Sequence, residues 1–178
     1  NRLEVTGQAV PAIEGVNGET LTGAAQFALS NAGTLAYLPG GASGNEAPVQ
    51  WMTPDGKTIP LRAMPSDWSS PQFSPAGRRL ALDILSGNNY DVWIYEWARD
   101  TLTRLTFDAA TDWVPVWTPD GRRIVFASHR DKGAANLYWQ HPDGTGEGLR
   151  LTESGNLQFP SSFHPNGKVL AFQEGNPK

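Results

Sequence analysis

The sequence repeats itself with a period of 44 to 46 residues, and this period restricts the folds open to the chain. Four segments align, each with an aromatic residue, a short turn ending in glycine and an alternating apolar run. They cover residues 27–37, 73–82, 117–126 and 163–172, with the glycines at Gly33, Gly77, Gly121 and Gly167. Proline presets φ in such a turn, Asp or Asn tolerates left-handed backbone, and glycine supplies a positive φ. Each segment therefore predicts a β-hairpin.

A second pair of short strands follows each of the first three hairpins. Their third strands are residues 49–52, 91–95 and 136–139, and their fourth strands are residues 58–61, 102–106 and 149–152. Four short strands in about 40–45 residues is the size of one β-propeller blade. The repeat therefore predicts an all-β chain, a β-propeller of four-stranded antiparallel blades with about four repeats.

The composition agrees with this fold class and excludes several kinds of function. Nineteen Gly and 14 Pro argue against a helical bundle, and seven Trp, seven Phe and four Tyr argue against disorder. With no Cys, the chain has no disulfide, thiolate zinc site or cysteine nucleophile. The net charge is −4 without a basic stripe, which argues against a nucleic-acid partner. No apolar run approaches the roughly 20 residues of a membrane span, so we expect no membrane insertion.

The period divides the chain into blades at predictable places. Residues 23–63, 68–107 and 112–152 are expected to form three complete blades, and residues 158–172 supply only half of a fourth. Residues 1–22 contain strand-like alternation and are predicted to complete that last blade. Two alternatives stay open: the ends belong to a longer protein, or two arcs close as a homodimer of eight blades. An open arc would expose two large apolar faces, which favours some form of closure.

Several segments resemble the repeat of TolB-type, WD-repeat-like β-propellers. They are residues 73–81 and 117–126, the Asn-Leu-Tyr-Trp of 136–139 and the Arg-Leu-Thr of 104–106 and 150–152. The first repeat departs from the pattern, because it lacks a Pro-Asp-Gly turn at 31–33.

The roles that this resemblance implies are mostly those of binding modules. TolB-type propellers serve as binding and scaffolding partners in a bacterial envelope complex, and similar propellers are non-catalytic domains of prolyl-oligopeptidase-type peptidases. In its residue pattern at 102–108 and 115–121, the chain is most similar to propeller regions attached to bacterial serine/threonine kinases. A periplasmic or other extracytoplasmic location follows from the resemblance alone, and the residues themselves leave the compartment unknown.

Candidate binding residues lie just before the first strand of each blade. Asp67 and Trp68 precede one such strand, Asp112 and Trp113 precede the next, and Gln158 holds the matching place in the fourth repeat. These segments enter the innermost strands, so we expect them to surround one mouth of the channel, where rigid scaffolds present ligand-binding loops. Tryptophan beside charged residues suits a protein or peptide anchor. The alternative is that both Trp side chains pack between blades while the Asp side chains bond loop amides.

The catalytic inventory is sparse. The three histidines, His129, His141 and His164, fall at turns or strand ends, and no nucleophile elbow or zinc-binding helix motif occurs. Asp83 and Asp91 flank a short loop, but calcium needs about 6–8 oxygen ligands, which this loop does not supply. The sequence therefore predicts no catalytic residue, metal or cofactor. It favours a non-enzymatic module that binds a protein, peptide or other ligand. The alternative function is an accessory propeller of a peptidase or lyase with its active site around the channel.

Overall fold

The computed structural model describes residue 16 and residues 25–30, 33–38, 49–61 and 67–175. Within these ranges the regular structure consists of fourteen β-strands and a single 3₁₀ turn at Trp97–Arg99. None of the helical segments in the described ranges is long and apolar enough to cross a membrane.

The strands form four antiparallel sheets, and each sheet follows chain order. Blade 1 contains β1 (Phe27–Leu29), β2 (Leu35–Tyr37), β3 (Gln50–Met52) and β4 (Thr58–Pro60). Blade 2 contains β5 (Trp68–Phe73), β6 (Leu80–Ser86), β7 (Asn89–Glu96) and β8 (Thr101–Arg104). Blade 3 contains β9 (Asp112–Trp117), β10 (Ile124–Ser128), β11 (Asn136–Gln140) and β12 (Leu149–Arg150). Blade 4 pairs β13 (Leu157–Phe163) with β14 (Leu170–Gly175). The predicted all-β propeller of four-stranded antiparallel blades is confirmed.

The blades stack face to face through apolar layers. The layer between blades 1 and 2 contains Trp68, Leu80, Leu82, Ile84 and Tyr95 with Ala36, Leu38 and Val49. The layer between blades 2 and 3 contains Ile94, Leu105, Trp117, Phe126 and Tyr138 with Ala81, Val92 and Ile124. Burying one large apolar side chain contributes about 1.5–3 kcal/mol, so these two layers are the main source of stability for the arc.

Trp117 also fastens blade 3 to blade 2 by polar contacts. Its Nε1 donates a hydrogen bond of 3.1 Å to the carbonyl oxygen of Gln72 in β5. The guanidinium of Arg79 lies 4.9 Å from the Trp117 ring centroid, close enough for a cation–π contact. One indole therefore combines apolar burial with two directional contacts at the same boundary.

The Arg-Leu-Thr motif at the end of blade 2 holds the outer strand β8 and the residues after it against β7 by hydrogen bonds and an ion pair. Arg104 Nη2 lies 2.7 Å from Oδ2 of the buried Asp91, and Arg104 Nε donates to the carbonyl oxygen of Thr106 at 2.8 Å. The Thr106 hydroxyl accepts a hydrogen bond of 2.9 Å from the backbone N–H of Val92. The motif thus satisfies both a buried carboxylate and a buried amide.

Blade 3 repeats this arrangement with one change of residue. Arg150 Nη2 donates to Oδ1 of Asn136 at 2.8 Å, and the Leu137 amide donates to the Thr152 hydroxyl at 3.0 Å. An amide oxygen therefore takes the place of the carboxylate of blade 2. In blade 1 the position of the arginine is held by Pro60, which cannot make these bonds.

The predicted closure of the ring by residues 1–22 lies outside the described residues, apart from residue 16, and stays a prediction. No backbone hydrogen bond joins the described part of blade 1 to blade 4.

The tight turn at Gly121 should be sensitive to any side chain. Gly121 has φ +68°, and a Cβ there would lie 3.7 Å from Cδ of Pro75 in the corresponding turn of blade 2. Space is sufficient, so the cost of Gly121→Ala comes from left-handed backbone, about 1–2 kcal/mol. Urea unfolding should show this loss, whereas Gly133→Ala, at a glycine with open space and no positive φ, should be nearly neutral. Equal stability of the two variants would contradict the left-handed backbone conformation at Gly121.

The homodimer that would close two arcs into one ring also stays a prediction. Light scattering on the dilute chain should then give a mass near twice 19.3 kDa. A mass of 19.3 kDa would exclude it.

Candidate functional site

The five residues predicted for the site gather at one end of the propeller. The first strands of the blades pack side by side, β1 against β5, β5 against β9 and β9 against β13, so they form the inner wall of the arc. Each of the last three runs from this end toward its glycine turn at the other end. We call the end where β5, β9 and β13 begin the mouth.

The two Asp-Trp pairs do not occupy equivalent places in their strands. In the sheet register Trp68 lies opposite Ile84, Asp112 opposite Ser128 and Gln158 opposite Glu174. These three residues are therefore equivalent, and Trp113 is equivalent to Ser69 and Phe159. Neighbouring side chains of a strand point to opposite faces, so a shift of one residue sends the two indoles to different surroundings. Counting back from the turn glycines shows the shift, since Trp68 precedes Gly77 by nine residues and Trp113 precedes Gly121 by eight.

The equivalent residues Trp68, Asp112 and Gln158 are all buried. Trp68 is 7% exposed and belongs to the apolar layer between blades 1 and 2. Asp112 Oδ2 lies 2.8 Å from Arg130 Nη2. Gln158 accepts a hydrogen bond from the Thr152 hydroxyl, and its backbone N–H donates to the Ala135 carbonyl at 2.8 Å. These residues fix the inner strands, and Asp67 just before them is half-buried. As binding residues all four stay predictions.

Trp113 is the partly exposed one of the two tryptophans predicted for the site. It is half-buried, and its ring centroid lies 5.0 Å from that of His129 and 5.9 Å from that of Phe159. Neither of these neighbours is among the predicted site residues. Phe159 could have been found from the repeat, because it holds the place of Trp113 in the next blade. His129 comes from the β10–β11 loop and carries no sequence signal for this contact.

Next to Trp113 in the chain, β9 has a bulge at Val114 that the buried Asp83 carboxylate of blade 2 binds. Val114 has φ +54°, and its backbone N–H donates a hydrogen bond of 3.0 Å to Asp83 Oδ1. The second oxygen of Asp83 accepts a hydrogen bond from the Ser69 hydroxyl. The matching bulge of blade 2 has Ser70 at φ +50°, whose N–H donates to Oε1 of Gln26 at 2.7 Å. Each bulge therefore turns one amide toward the preceding blade.

Burial shifts the titration of several groups near the mouth. It raises the pKa of the Asp83 carboxyl, with the Ser69 and Val114 hydrogen bonds opposing the shift. It also raises the pKa of Asp112, whose Oδ1 is buried without a hydrogen-bond partner among the described residues. Burial, followed by the negative charges of Asp67 and Asp83, raises the pKa of Tyr90.

The histidines are engaged with backbone groups. His129 Nδ1 lies 2.8 Å from the Gly133 carbonyl oxygen, and His141 Nδ1 lies 3.2 Å from that of Arg122. The Asn166 amide donates to His164 Nδ1 at 3.2 Å. No group of three or more His, Asp or Glu side chains suited to a metal ion occurs in the described parts of the chain. Asp83 and Asp91, the acids flanking residues 87–90, are each engaged with protein partners.

Asp83→Asn should change how stability depends on pH. The folded-state pKa of Asp83 lies above its usual 3.8. Its contribution to the free energy of unfolding is therefore most favourable at low pH and is lost as pH rises through the raised pKa. Asparagine does not titrate. The unfolding free energy of the variant minus that of the parent chain should therefore increase from pH 4 toward pH 7.

Asp120→Asn provides a control of opposite sign for that experiment. The hydrogen bond from the Thr118 hydroxyl, 2.6 Å from Asp120 Oδ1, lowers the pKa of this exposed carboxyl. Its contribution is present above the usual pKa and is lost as pH falls, so the corresponding difference should decrease toward pH 7. Urea unfolding from pH 4 to pH 7 measures the difference for Asp83, and extending it below pH 3.8 measures that for Asp120. Slopes of the same sign would contradict the role of burial at Asp83.

Comparison with known proteins identifies the type of propeller. The family model of the TolB β-propeller domain matches residues 16–178. The solved structure of TolB from Acinetobacter baumannii superimposes with a TM-score of 0.70 at 19% identity, over 89% of this chain and 37% of that one. At this identity the superposition shows the fold alone.

Two curated relatives have different descriptions. The uncharacterized peptidase YuxL of Bacillus subtilis (strain 168) is 34% identical over 109 residues, which is 57% of this chain and 16% of that protein. The Tol-Pal system protein TolB of Gluconobacter oxydans (strain 621H) is 43% identical over 58 residues, 33% of this chain and 12% of that protein. The chain therefore spans only a small part of the length of either relative.

Proposed function

This chain belongs to the TolB β-propeller family, and on that basis we propose that it is a non-enzymatic module that binds a protein or peptide at its mouth. The observation that carries the proposal is the half-buried Trp113 ring, which lies beside His129 and Phe159 at the start of the inner strands. Aromatic residues held on a rigid scaffold are frequent hot spots of protein interfaces.

Each predicted site residue has a part in this proposal. Trp113 contacts the partner, while Trp68, Asp112 and Gln158 hold the three inner strands in place from their buried positions. Asp67 lies at the entrance of β5, and its carbonyl oxygen accepts a hydrogen bond of 3.1 Å from the Leu85 amide. A mouth fixed in this way loses little conformational entropy on binding, which favours affinity.

A second candidate function is an accessory propeller of a peptidase. The similarity to YuxL favours it, because that relative is described as a peptidase and is 34% identical over 109 residues. In such a protein the propeller would bind or admit peptides while another domain performs the chemistry. Hydrolysis of fluorogenic peptides by this chain itself would contradict the non-enzymatic proposal.

Trp113→Ala tests the proposed site. A library of random 12-residue peptides displayed on phage is selected against the full chain, and the affinity of a selected synthetic peptide is measured by calorimetry. Removing the ring should raise the Kd by about 10-fold or more, as is typical of an aromatic hot spot.

Trp139→Ala is the matched control, since Trp139 is also a half-buried indole of blade 3 but packs under Arg123, 3.9 Å from its ring, away from the mouth. This change should leave the Kd unaltered. Circular dichroism verifies that both variants fold. Failure to select any peptide, or equal loss of affinity in the two variants, would contradict binding at the mouth.

A further inference from the structure

Phe107 is the most exposed of the large apolar residues in the described part of the chain. Its side chain is 73% exposed, and it follows the buried Thr106 on the loop that leads to β9. In the next repeat the equivalent of Thr106 is Thr152, so the place of Phe107 is taken by Glu153. The packing of the repeat therefore does not require an aromatic residue here.

The exposed ring is held in place by its own blade. The guanidinium of Arg104 lies 5.1 Å from the Phe107 ring centroid. Arg104 is itself fixed by Asp91 at 2.7 Å and by the Thr106 carbonyl at 2.8 Å. One side of the ring thus rests on an immobilised cation while the side chain as a whole faces solvent.

The loop between Phe107 and Trp113 is braced by hydrogen bonds. Asn89 Nδ2 donates to the Asp108 carbonyl at 3.2 Å, and Asn89 Oδ1 accepts from the Thr111 hydroxyl at 3.1 Å. The Asp108 carboxylate accepts a bond of 2.8 Å from the Ala110 amide. Phe107 and Trp113 are therefore presented at the two ends of an ordered loop, and little entropy is lost when a partner contacts both.

Some of the charged side chains around this loop have ion-pair partners and others do not. Three arginines of the described residues at the mouth have acidic partners: Arg104 pairs with Asp91, Arg130 with Asp112 and Arg150 with Asp131. Asp108 and Glu153 are exposed and have no ion-pair partner among the described residues, and Lys132 is an exposed cation on the neighbouring β10–β11 loop. Because the charges of these arginines are neutralised within the protein, the exposed unpaired charges named here are two acids, Asp108 and Glu153, against one cation, Lys132.

Resting on the binding function proposed above, we propose that the occupant of the mouth is a cationic segment of a partner protein, with Lys or Arg side chains. A cation over the face of Trp113 gains a cation–π contact, and the carboxylates of Asp108 and Glu153 supply complementary charge. The alkyl part of the Lys or Arg side chain packs against Phe107. Phe107, Asp108, Trp113 and Glu153 all lie at the mouth, and we call them together the acidic aromatic surface.

The peptides selected against the full chain provide the first test. They should be enriched in Lys and Arg, and replacing these residues of a selected peptide by Gln should raise its Kd by about 10-fold, with Glu weakening binding further. Raising the salt concentration should also weaken binding, because the carboxylates are exposed.

Matched variants of the chain locate the charge effect. Asp108→Asn should raise the Kd for a selected cationic peptide by about 3- to 10-fold, while the Asn oxygen can still accept from Ala110. Asp143→Asn removes the same charge from a turn at the opposite end, where Asp143 likewise accepts from the amide two residues later, Thr145, at 3.0 Å. It should leave the Kd unchanged. Phe107→Ala, at an exposed position, should weaken binding about 5-fold or more without unfolding the chain.

The outcomes separate this inference from the proposed function. Neutral or acidic peptides that lose affinity in Trp113→Ala would overturn the cationic partner while supporting binding at the mouth. Cationic peptides that are insensitive to Trp113→Ala, Phe107→Ala and Asp108→Asn would overturn both. Equal effects of Asp108→Asn and Asp143→Asn would show attraction by the overall charge of the chain and would also overturn the acidic aromatic surface.

Discussion

Burial of apolar surface between neighbouring blades is the interaction on which the other features of the structure depend. A single four-stranded blade has two apolar faces and can bury neither by itself, so each blade is stable only against its neighbours. The layer between blades 2 and 3 shows how this is achieved, because Trp117 adds a hydrogen bond and a cation–π contact to its apolar burial. Once the layers are formed, the inner strands lie side by side and their first residues meet at the mouth.

The fold could be predicted from the sequence because its determinants are local and repeated, the turn glycine in four repeats and the Arg-Leu-Thr ending in two. The turn glycines, the aromatic residue before each turn and the Arg-Leu-Thr endings each correspond to a visible structural role. Arg104 and Arg150 make the same backbone contact in two blades, although their side-chain partners are Asp91 and Asn136. Because either a carboxylate or an amide oxygen can accept from the arginine, the Arg-Leu-Thr motif is recognisable in both blades while its partner residue differs.

The candidate site could be predicted only in part, because its details depend on register and on contacts between blades. The similar Asp-Trp pairs favoured equivalent positions, but the register displaces them by one residue, so Trp68 enters the core and Trp113 stays accessible. Nothing in the sequence places His129 beside Trp113, since that contact requires the folded β10–β11 loop. Phe107 stands out only when its position is compared with Glu153 in the folded repeat.

The bulges at Ser70 and Val114 have a consequence for the spacing of the blades. Both residues adopt positive φ, which is unusual for a residue other than glycine and especially so for a β-branched one. In return, one amide of β5 reaches Gln26 and one amide of β9 reaches Asp83, each in the preceding blade. The separation of adjacent blades at the channel wall is thereby set by the length of a hydrogen bond. Smaller side chains in the layers farther out would then leave cavities, because the blades are pinned at the wall and cannot slide together to fill them.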